Sequence, residues 1–167
     1  MGHAARGCQL IFCFKTVAQF IPKITDQTLR LLPKAAGAYV LVIDLPGDIA
    51  LQNKRFAGTT LHKGIYLYCG SAKGAGGVAA RVKRHCRADK KPHWHVDELT
   101  SNGVGQVVSV LVVPDGNECD LRAALNVVPG VEAPVHGFGS SDCKCCPAHL
   151  LQAGNPDAAI VYLASMS

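Results

Sequence analysis

The chain has 167 residues, of which 49% are hydrophobic, and 17 Lys and Arg against 12 Asp and Glu give it a formal charge of +5. A chain of this length and composition can bury one core, which predicts a single compact domain. Its apolar runs fall short of the roughly 18 residues that a membrane-spanning helix needs, so we expect no membrane partner. We divide it into an N-terminal extension, residues 1–34, and one domain, residues 35–167, that includes the cysteine-rich C-terminal segment.

An apolar segment near the N-terminus, CQLIFCFKTVAQF, follows Arg6 as in a signal peptide, but Lys15 interrupts it and no clear cleavage site follows. We interpret it as a short extension or a helix docked on the domain. The eight cysteines would suit a disulfide scaffold in a secreted protein. However, Cys69, Cys86 and Cys119 fall inside predicted strands or helices, where cysteine often acts as a small buried hydrophobe. A reducing, cytoplasmic setting is therefore predicted.

Hydrophobic periodicity predicts the order of the elements. They are strand 38–45, strand 64–70, helix 76–88, helix 92–101, strand 106–113, helix 117–126 and, after a loop, a strand near 158–163. Pro92 suits the first turn of its helix. The order is typical of an α+β fold, with a small, mainly antiparallel three-stranded core sheet flanked by helices and a C-terminal loop and strand extension.

Residues 64–95, GIYLYCGSAKGAGGVAARVKRHCRADKKPHWH, join a tyrosine-bearing strand to a glycine-rich turn and a basic helix. Tyr66 and Tyr68 are two residues apart, so both rings project from one face of the strand. Arg81 and His85 are four residues apart and share one face of the helix. This arrangement favours a phosphate-binding surface, and the alternative is a solvated helix face followed by a polar loop.

Positive charge is concentrated in the same segment. Between Arg81 and Lys91 there are six Lys or Arg and only one acidic residue, Asp89, an excess that equals the charge of the whole chain. Nucleic acid is the partner that such a patch indicates. The predicted nucleic-acid-binding residues are Lys73, Lys83, Arg84, Arg87, Lys90 and Lys91.

The string YCGSAK, residues 68–73, resembles the second motif of the GIY-YIG nuclease superfamily, and Arg81 and His85 match the helix that follows it in that family. The literal Gly64-Ile65-Tyr66 leaves only Leu67 before Tyr68, which is too short for a hairpin. We therefore identify the first motif as GAY, residues 37–39, with Tyr39 as its tyrosine. The strings KKPHWHVDEL and GFGSSDCKCCPAHL are similar to a divergent, poorly characterised subfamily, so the resemblance covers roughly residues 37–150.

The resemblance implies an endonuclease that hydrolyses phosphodiester bonds in nucleic acid with Mg²⁺ or Mn²⁺. We expect DNA as the substrate, and RNA stays open as the alternative. The implied catalytic residues are Tyr39, Tyr68, Arg81, His85 and Glu118. Glu118 would hold the metal, Tyr68 or Tyr39 would act as the general base, and Arg81 would bind the phosphate. Two structural roles are open for Glu118: a capping box with Asp115 as N-cap, and an ion pair with Arg122.

A cluster near the C-terminus offers up to four soft ligands within seven residues: Cys143, Cys145, Cys146 and His149. Zinc prefers such ligands, although its ligand pairs usually come from two separated segments. His93 or His95 could complete the site. The alternative is that Asp142 and the thiols only order the loop. Two other functions stay open at this point, a non-catalytic nucleic-acid-binding module and a zinc-stabilised interaction domain.

Overall fold

The computed structural model describes residues 17–167, which form an α+β fold around a six-stranded sheet. The strands are β1 (Gln19–Ile21), β2 (Gly37–Leu45), β3 (Ile49–Ala50), β4 (Thr60–Leu61), β5 (Gly64–Ala72), β6 (Gln106–Pro114), β7 (Val131–Glu132) and β8 (Leu150–Ala153). The α-helices are α1 (Asp26–Arg30), α2 (Gly77–Cys86), α3 (Asp97–Thr100), α4 (Glu118–Leu125) and α5 (Pro156–Ser165). The strand order is β1-β6-β2-β5-β8-β7, every neighbouring pair is antiparallel, and β3 pairs separately with β4.

Helices cover both faces of the sheet, so its central strand β2 is apolar on both sides. Tyr39 and Leu41 point into one core, which contains buried residues of α2, whereas Val40 and Val42 point into the other, which contains buried residues of α4 and α5. Two-sided burial explains why the sequence of β2 is a continuous apolar run rather than an alternating one.

The predicted α+β class and its mainly antiparallel sheet are confirmed, but the sheet has six strands instead of three. The three predicted strands form its centre, β6-β2-β5, and β8 and β7 extend it on one side. On the other side β1 pairs with β6, with Ile21 opposite Val110. The described part of the predicted extension, residues 17–34, thus contributes an edge strand, while the rest of the apolar N-terminal segment lies outside the described residues.

Two predicted elements are wrong. Residues 158–163 belong to α5 rather than to a strand, because Asn155 caps a helix that has Pro156 in its first turn and buries Ala159 and Leu163, four residues apart. The predicted helix 92–101 shrinks to α3 because the peptide N–H groups of His93 and Trp94 donate to the side chain of Asp97 instead of entering a helix. No helix within residues 17–167 has the length and apolarity to cross a membrane.

The strand register brings three chain segments together at one end of the sheet. Gly37, the first residue of β2, lies opposite both Ala72, which ends β5, and Pro114, which ends β6. The glycine-rich turn and the start of α4 therefore lie at the same end, and the backbone oxygen of His149, just before β8, accepts a hydrogen bond from Cys69 there.

Gly70 makes room for the Tyr39 ring on the neighbouring strand. The two residues are paired in the β2–β5 ladder, and a Cβ atom on Gly70 would lie 2.5 Å from the Tyr39 hydroxyl oxygen. The ring is buried and cannot move aside without disturbing the core. A glycine at position 70 is thus a steric requirement of a tyrosine at position 39.

We expect Gly70→Ala to lower the free energy of unfolding by about 1–3 kcal/mol, since overpacking a buried site costs this much. Urea denaturation measures the loss. Gly47→Ala is the matched control, because a Cβ atom there would meet nothing within 4 Å. Equal stability of the two variants would contradict the steric role of Gly70.

Candidate functional site

A cleft of about 410 Å³ opens at the end of the sheet where these segments meet. It is lined from six parts of the chain: β2, β5 with the turn after it, α2, the segment before α3, α4 and the loop before β8. Its lining residues are Tyr39, Tyr68, Ser71, Lys73, Gly74, Arg81, Trp94, Glu118, Gly139, Asp142, Cys143 and His149.

Four of the five predicted catalytic residues line this cleft. Tyr39 comes from β2, Tyr68 from β5, Arg81 from α2 and Glu118 from the first turn of α4. The fifth, His85, lies behind the cleft wall and is buried, with its Nε2 atom 2.9 Å from the Tyr39 hydroxyl. The resemblance placed these residues in one site, and the fold does bring them together.

Asp97 is the residue that holds the wall of the cleft in place. Its side chain is fully buried, and it accepts hydrogen bonds from both terminal nitrogens of Arg84, each at 3.1 Å. It also accepts from the peptide N–H groups of His93 and Trp94 at 2.8 and 3.0 Å. Its Oδ1 atom lies 3.5 Å from Nδ1 of His85. Asp97, His85 and Tyr39 thus form a chain of polar contacts that ends at the cleft.

The pKa values of this chain follow from its burial. For Asp97, burial alone would raise the pKa, but the nearby His85 and hydrogen bonds from Arg84 and the two peptide N–H groups outweigh it and hold the pKa well below the usual range. Burial lowers the pKa of His85, although Asp97 opposes the shift. The histidine is therefore neutral at pH 7 and the aspartate is ionised.

Both tyrosines are kept in the protonated form. Burial raises the pKa of Tyr39 well above its usual value, and the neighbouring Tyr68 adds to the rise while Arg81 opposes it. Burial likewise raises the pKa of Tyr68, again with Arg81 opposing. The Arg81 charge alone does not produce a phenolate here, so a base mechanism must include an acceptor for the tyrosine proton.

Trp94 lies between two arginines. The guanidinium carbons of Arg81 and Arg84 are 4.1 and 4.3 Å from the centroid of its indole ring, a cation–π arrangement. Arg81 also donates to the backbone oxygen of Ser71 at 3.4 Å. Stacking fixes the Arg81 guanidinium at the cleft, whereas Arg84 is used to hold Asp97.

The structure divides the predicted nucleic-acid-binding residues into two groups. Four are exposed: Lys73, Lys83, Arg87 and Lys91. Two are engaged inside the protein, which corrects their assignment. Arg84 is paired with Asp97, and Lys90 is buried, with its ammonium group donating to the backbone oxygens of His85, Arg87 and Thr100. Lys90 thus satisfies carbonyls at the end of α2 rather than facing a phosphate.

Neither structural role considered for Glu118 is present. The N-cap of α4 is Asn117, whose side chain accepts from the peptide N–H of Cys119 at 2.7 Å, so the proposed Asp115 capping box does not form. Arg122 donates to Ala148 and contacts the Asn126 side chain instead of pairing with Glu118. Within residues 17–167, no group donates a hydrogen bond to the Glu118 carboxylate, which lines the cleft together with Asp142.

Four thiols, those of Cys119, Cys143, Cys145 and Cys146, lie within 4.8 Å of one another beside the cleft and could hold a metal ion. We call this group the cysteine cluster. It corrects the predicted ligand set in one respect: Cys119 on α4 replaces His149, whose Nε2 atom is 3.9 Å from the Cys119 sulfur. His95 does not join it, since its Nδ1 atom accepts from the peptide N–H of Gly139.

Sequence reasoning missed Asp97, Trp94 and Cys119 as parts of the site. Asp97 and Trp94 belong to the string HWHVDEL, whose likeness to the subfamily indicates no particular role for either residue. Cys119 was interpreted as a buried hydrophobe, although it directly follows Glu118 and is only partly buried. The position of Cys119 between two acidic residues, Glu118 and Asp120, is the signal in the sequence that it could belong to a metal site.

We expect Asp97→Asn to lower the free energy of unfolding by about 3 kcal/mol, because losing one charge of a buried ion pair leaves the other partner unpaired. Urea denaturation, followed by the fluorescence of Trp94, the only tryptophan in the sequence, measures this free energy of unfolding. Asp89→Asn, on an exposed position, is the control and should change stability by less than about 0.5 kcal/mol. If both substitutions changed the free energy of unfolding by the same small amount, the structural role of Asp97 would be rejected.

No curated protein and no solved structure matches this chain. A family model described as "Domain of unknown function DUF123" matches residues 38–166, which include every lining residue of the cleft and the whole cysteine cluster. The chain therefore belongs to the DUF123 family of domains of unknown function.

Proposed function

We propose that this protein is a divalent-metal-dependent endonuclease of the GIY-YIG type, which hydrolyses phosphodiester bonds in nucleic acid, with DNA rather than RNA as the substrate. One observation carries the proposal. Tyr39, Tyr68, Arg81 and Glu118 come from four different elements and line one cleft, with His85 in contact with Tyr39. Each residue type serves this reaction: an acid–base group, a phosphate ligand and a carboxylate for a metal.

The Glu118 carboxylate is suited to hold Mg²⁺ or Mn²⁺, which take oxygen ligands. It faces the cleft, receives no hydrogen bond from the described residues, and has Asp142 as a second carboxylate on the same cleft. A bound divalent ion would supply positive charge for the leaving oxygen. The cysteine cluster offers sulfur instead, which suits Zn²⁺, so we assign the two kinds of metal to different donor sets.

Arg81 is the proposed ligand of the scissile phosphate. Its guanidinium is planar, always charged and fixed against Trp94, so little freedom is lost when it binds a phosphate. Lys73 lines the same cleft. The exposed Lys83, Arg87 and Lys91 extend the positive surface along α2 and would contact the nucleic-acid backbone at a distance from the cut.

Tyr39 is the better of the two candidate bases because its hydroxyl lies within hydrogen-bond distance of His85, whereas Tyr68 meets His85 only ring to ring. A neutral His85 with its proton on Nδ1, toward Asp97, leaves Nε2 free to accept the Tyr39 proton. The Tyr39 oxygen then takes a proton from the attacking water, while the water oxygen bonds to phosphorus and the P–O bond to the leaving group breaks. The ionised Asp97 stabilises the imidazolium that forms. Tyr68 would orient the water or the phosphate.

A reducing, cytoplasmic setting fits this proposal. The cysteines of residues 17–167 are free thiols. Four of them gather in one cluster whose neighbouring sulfurs lie at metal-ligand rather than disulfide separations.

The main test is Mg²⁺-dependent nicking of duplex, single-stranded and branched DNA and of RNA. We expect Arg81→Ala to lower the cleavage rate by about 10²–10³-fold, because a transition-state contact is lost. Glu118→Gln removes the charge that holds the ion and should abolish cleavage while the protein still binds labelled DNA. Both variants should stay folded.

Matched controls are Arg30→Ala, an arginine of α1 outside the proposed binding surface, and Asp120→Asn beside Glu118, both on exposed positions away from the cleft. Cleavage by Glu118→Gln at the wild-type rate would reject the role of Glu118. Wild-type protein that binds these substrates but cuts none of them with Mg²⁺ or Mn²⁺ would favour a non-catalytic nucleic-acid-binding module.

The pH profile separates two base mechanisms. If His85 takes the Tyr39 proton, only neutral histidine is needed, and because its pKa lies below 6.5 the rate should be flat from pH 7 to 9 and fall only in acid. If a free Tyr39 phenolate were required, the rate would rise tenfold per pH unit over the same range, since the pKa of Tyr39 is raised above 10.0. Single-turnover cleavage rates at each pH decide between the two, and a tenfold rise per unit would reject the histidine relay.

A further inference from the structure

The cysteine cluster has the dimensions of a one-metal site. Neighbouring sulfurs lie 3.5 Å apart for Cys119–Cys143, 3.4 Å for Cys143–Cys145, 3.6 Å for Cys145–Cys119 and 3.9 Å for Cys145–Cys146. A tetrahedral Zn²⁺ with Zn–S bonds of about 2.3 Å requires sulfurs about 3.8 Å apart. A multinuclear iron–sulfur cluster would need its ligands spread around several metal atoms.

Packing does not account for this gathering of thiols. Cys145 is exposed and the other three are only partly buried, so they do not serve as small core hydrophobes. A thiol is a weak hydrogen-bonding group, and four thiols facing one another contribute little by themselves. The peptide N–H of Cys146 points to the Cys143 sulfur at 3.3 Å, as is common where a sulfur carries negative charge toward a metal.

We propose that Cys119, Cys143, Cys145 and Cys146 bind one structural Zn²⁺ that fastens the loop of residues 140–149 to the first turn of α4. Four sulfur donors in a tetrahedron suit zinc. The ligands come from two separate segments, Cys119 on α4 and the other three on the loop, as is usual for structural zinc.

The position of this site gives it a second consequence, which rests on the proposed function. Cys119 directly follows Glu118, and Cys143 directly follows Asp142. Both carboxylates line the cleft. A metal that joins Cys119 to Cys143 therefore sets the distance between the two carboxylates. Neither carboxylate accepts a hydrogen bond from residues 17–167 that would hold it otherwise.

His149 has a different role in this arrangement. Its backbone is held between a turn and β5, with its N–H donating to the backbone oxygen of Phe138 and its oxygen accepting from the N–H of Cys69. Its Nε2 atom lies 3.9 Å from the Cys119 sulfur, where it would donate a hydrogen bond to the metal-bound thiolate. The loss of His149 should therefore leave the zinc bound, whereas the loss of a ligand cysteine should release it.

The test uses the full chain, purified without chelator, and elemental analysis for zinc and iron. We expect about one zinc per chain, a lower melting temperature after chelation, and its recovery when Zn²⁺ is returned. Cobalt added to the zinc-free protein should give the visible and near-ultraviolet absorption of a tetrahedral cobalt site with four thiolates. Protein without zinc that shows no such cobalt spectrum would overturn the proposal, and iron in the zinc position would overturn the choice of metal.

Variants locate the ligands. Cys119→Ala and Cys145→Ala should lose the zinc and the four-thiolate spectrum, and since Cys145 is exposed, its variant should fold even if the Cys119 variant does not. Cys86→Ala, outside the cluster, and His149→Gln should retain about one zinc per chain. Zinc kept by Cys119→Ala and lost by His149→Gln would replace our ligand set with the one that includes the histidine.

Metal content and nicking fail independently. A protein that carries zinc but cuts nothing would leave the zinc site in place and reject the nuclease. A protein that nicks DNA but carries no zinc would support the nuclease and reject the zinc site. A third measurement tests whether the zinc site affects the two carboxylates. Cys145→Ala protein that is still folded should cleave more slowly and need a higher Mg²⁺ concentration for its half-maximal rate. Cys86→Ala should change neither quantity. An unchanged Mg²⁺ requirement would reject the coupling.

Discussion

The buried carboxylate of Asp97 is the interaction on which the site depends. One side chain accepts from Arg84 on α2, from two peptide N–H groups of the segment that precedes α3, and faces His85. A buried charge is costly unless it is paired and hydrogen-bonded. Here the pairing forces Arg84 inward and fixes the turn that carries Trp94. Trp94 in turn stacks on Arg81, the proposed phosphate ligand. Asp97 therefore positions Arg81 through Trp94.

Glu98, the residue after Asp97, holds another part of the chain in place. Glu98 accepts from the peptide N–H groups of Gln52 and Asn53 at 2.6 and 3.1 Å, which docks the long connection between β2 and β5 on α3. Phe56 of that connection stacks on Phe138 and meets His95 edge to face. His95 in turn accepts from the peptide N–H of Gly139. The strings HWHVDEL and GFGSSDC therefore contact each other, and Phe56 of the β2–β5 connection packs against both.

Each of the two cleft tyrosines lies over a glycine. A Cβ atom on Gly70 would meet the Tyr39 ring, and a Cβ atom on Gly139 would lie 2.7 Å from the Tyr68 ring, at a positive φ of 74° that also favours glycine. These contacts restrict how the rings can turn. The hydroxyls of Tyr39 and Tyr68 are thus positioned by steric contacts. His85, the proton acceptor of the proposed mechanism, is positioned instead by the ion pair of Asp97 and Arg84.

Local pattern was enough to predict the three central strands, α2 and α4, because long apolar runs and helical spacing are properties of neighbouring residues. The same patterns failed at residues 158–163, where an apolar run is compatible with strand or helix and the Asn155 cap decides, and at residues 92–96, where a side chain captures the helix N–H groups. Motif resemblance placed Tyr39, Tyr68, Arg81 and Glu118 in one site, but not the contacts that govern them.

By itself, the sequence determined the residue types that the site uses and the concentration of charge on α2. Only the tertiary structure decided which of those charges are available, since Arg84 and Lys90 look like Lys83 and Lys91 in the sequence yet point into the protein. It also decided which thiols meet: Cys119 is 24 residues from Cys143 along the chain, and the two sulfurs come together because β6 and β8 bring the start of α4 and the last loop to the same end of the sheet. Long-range pairing of this kind depends on strand register and burial, which no local pattern encodes.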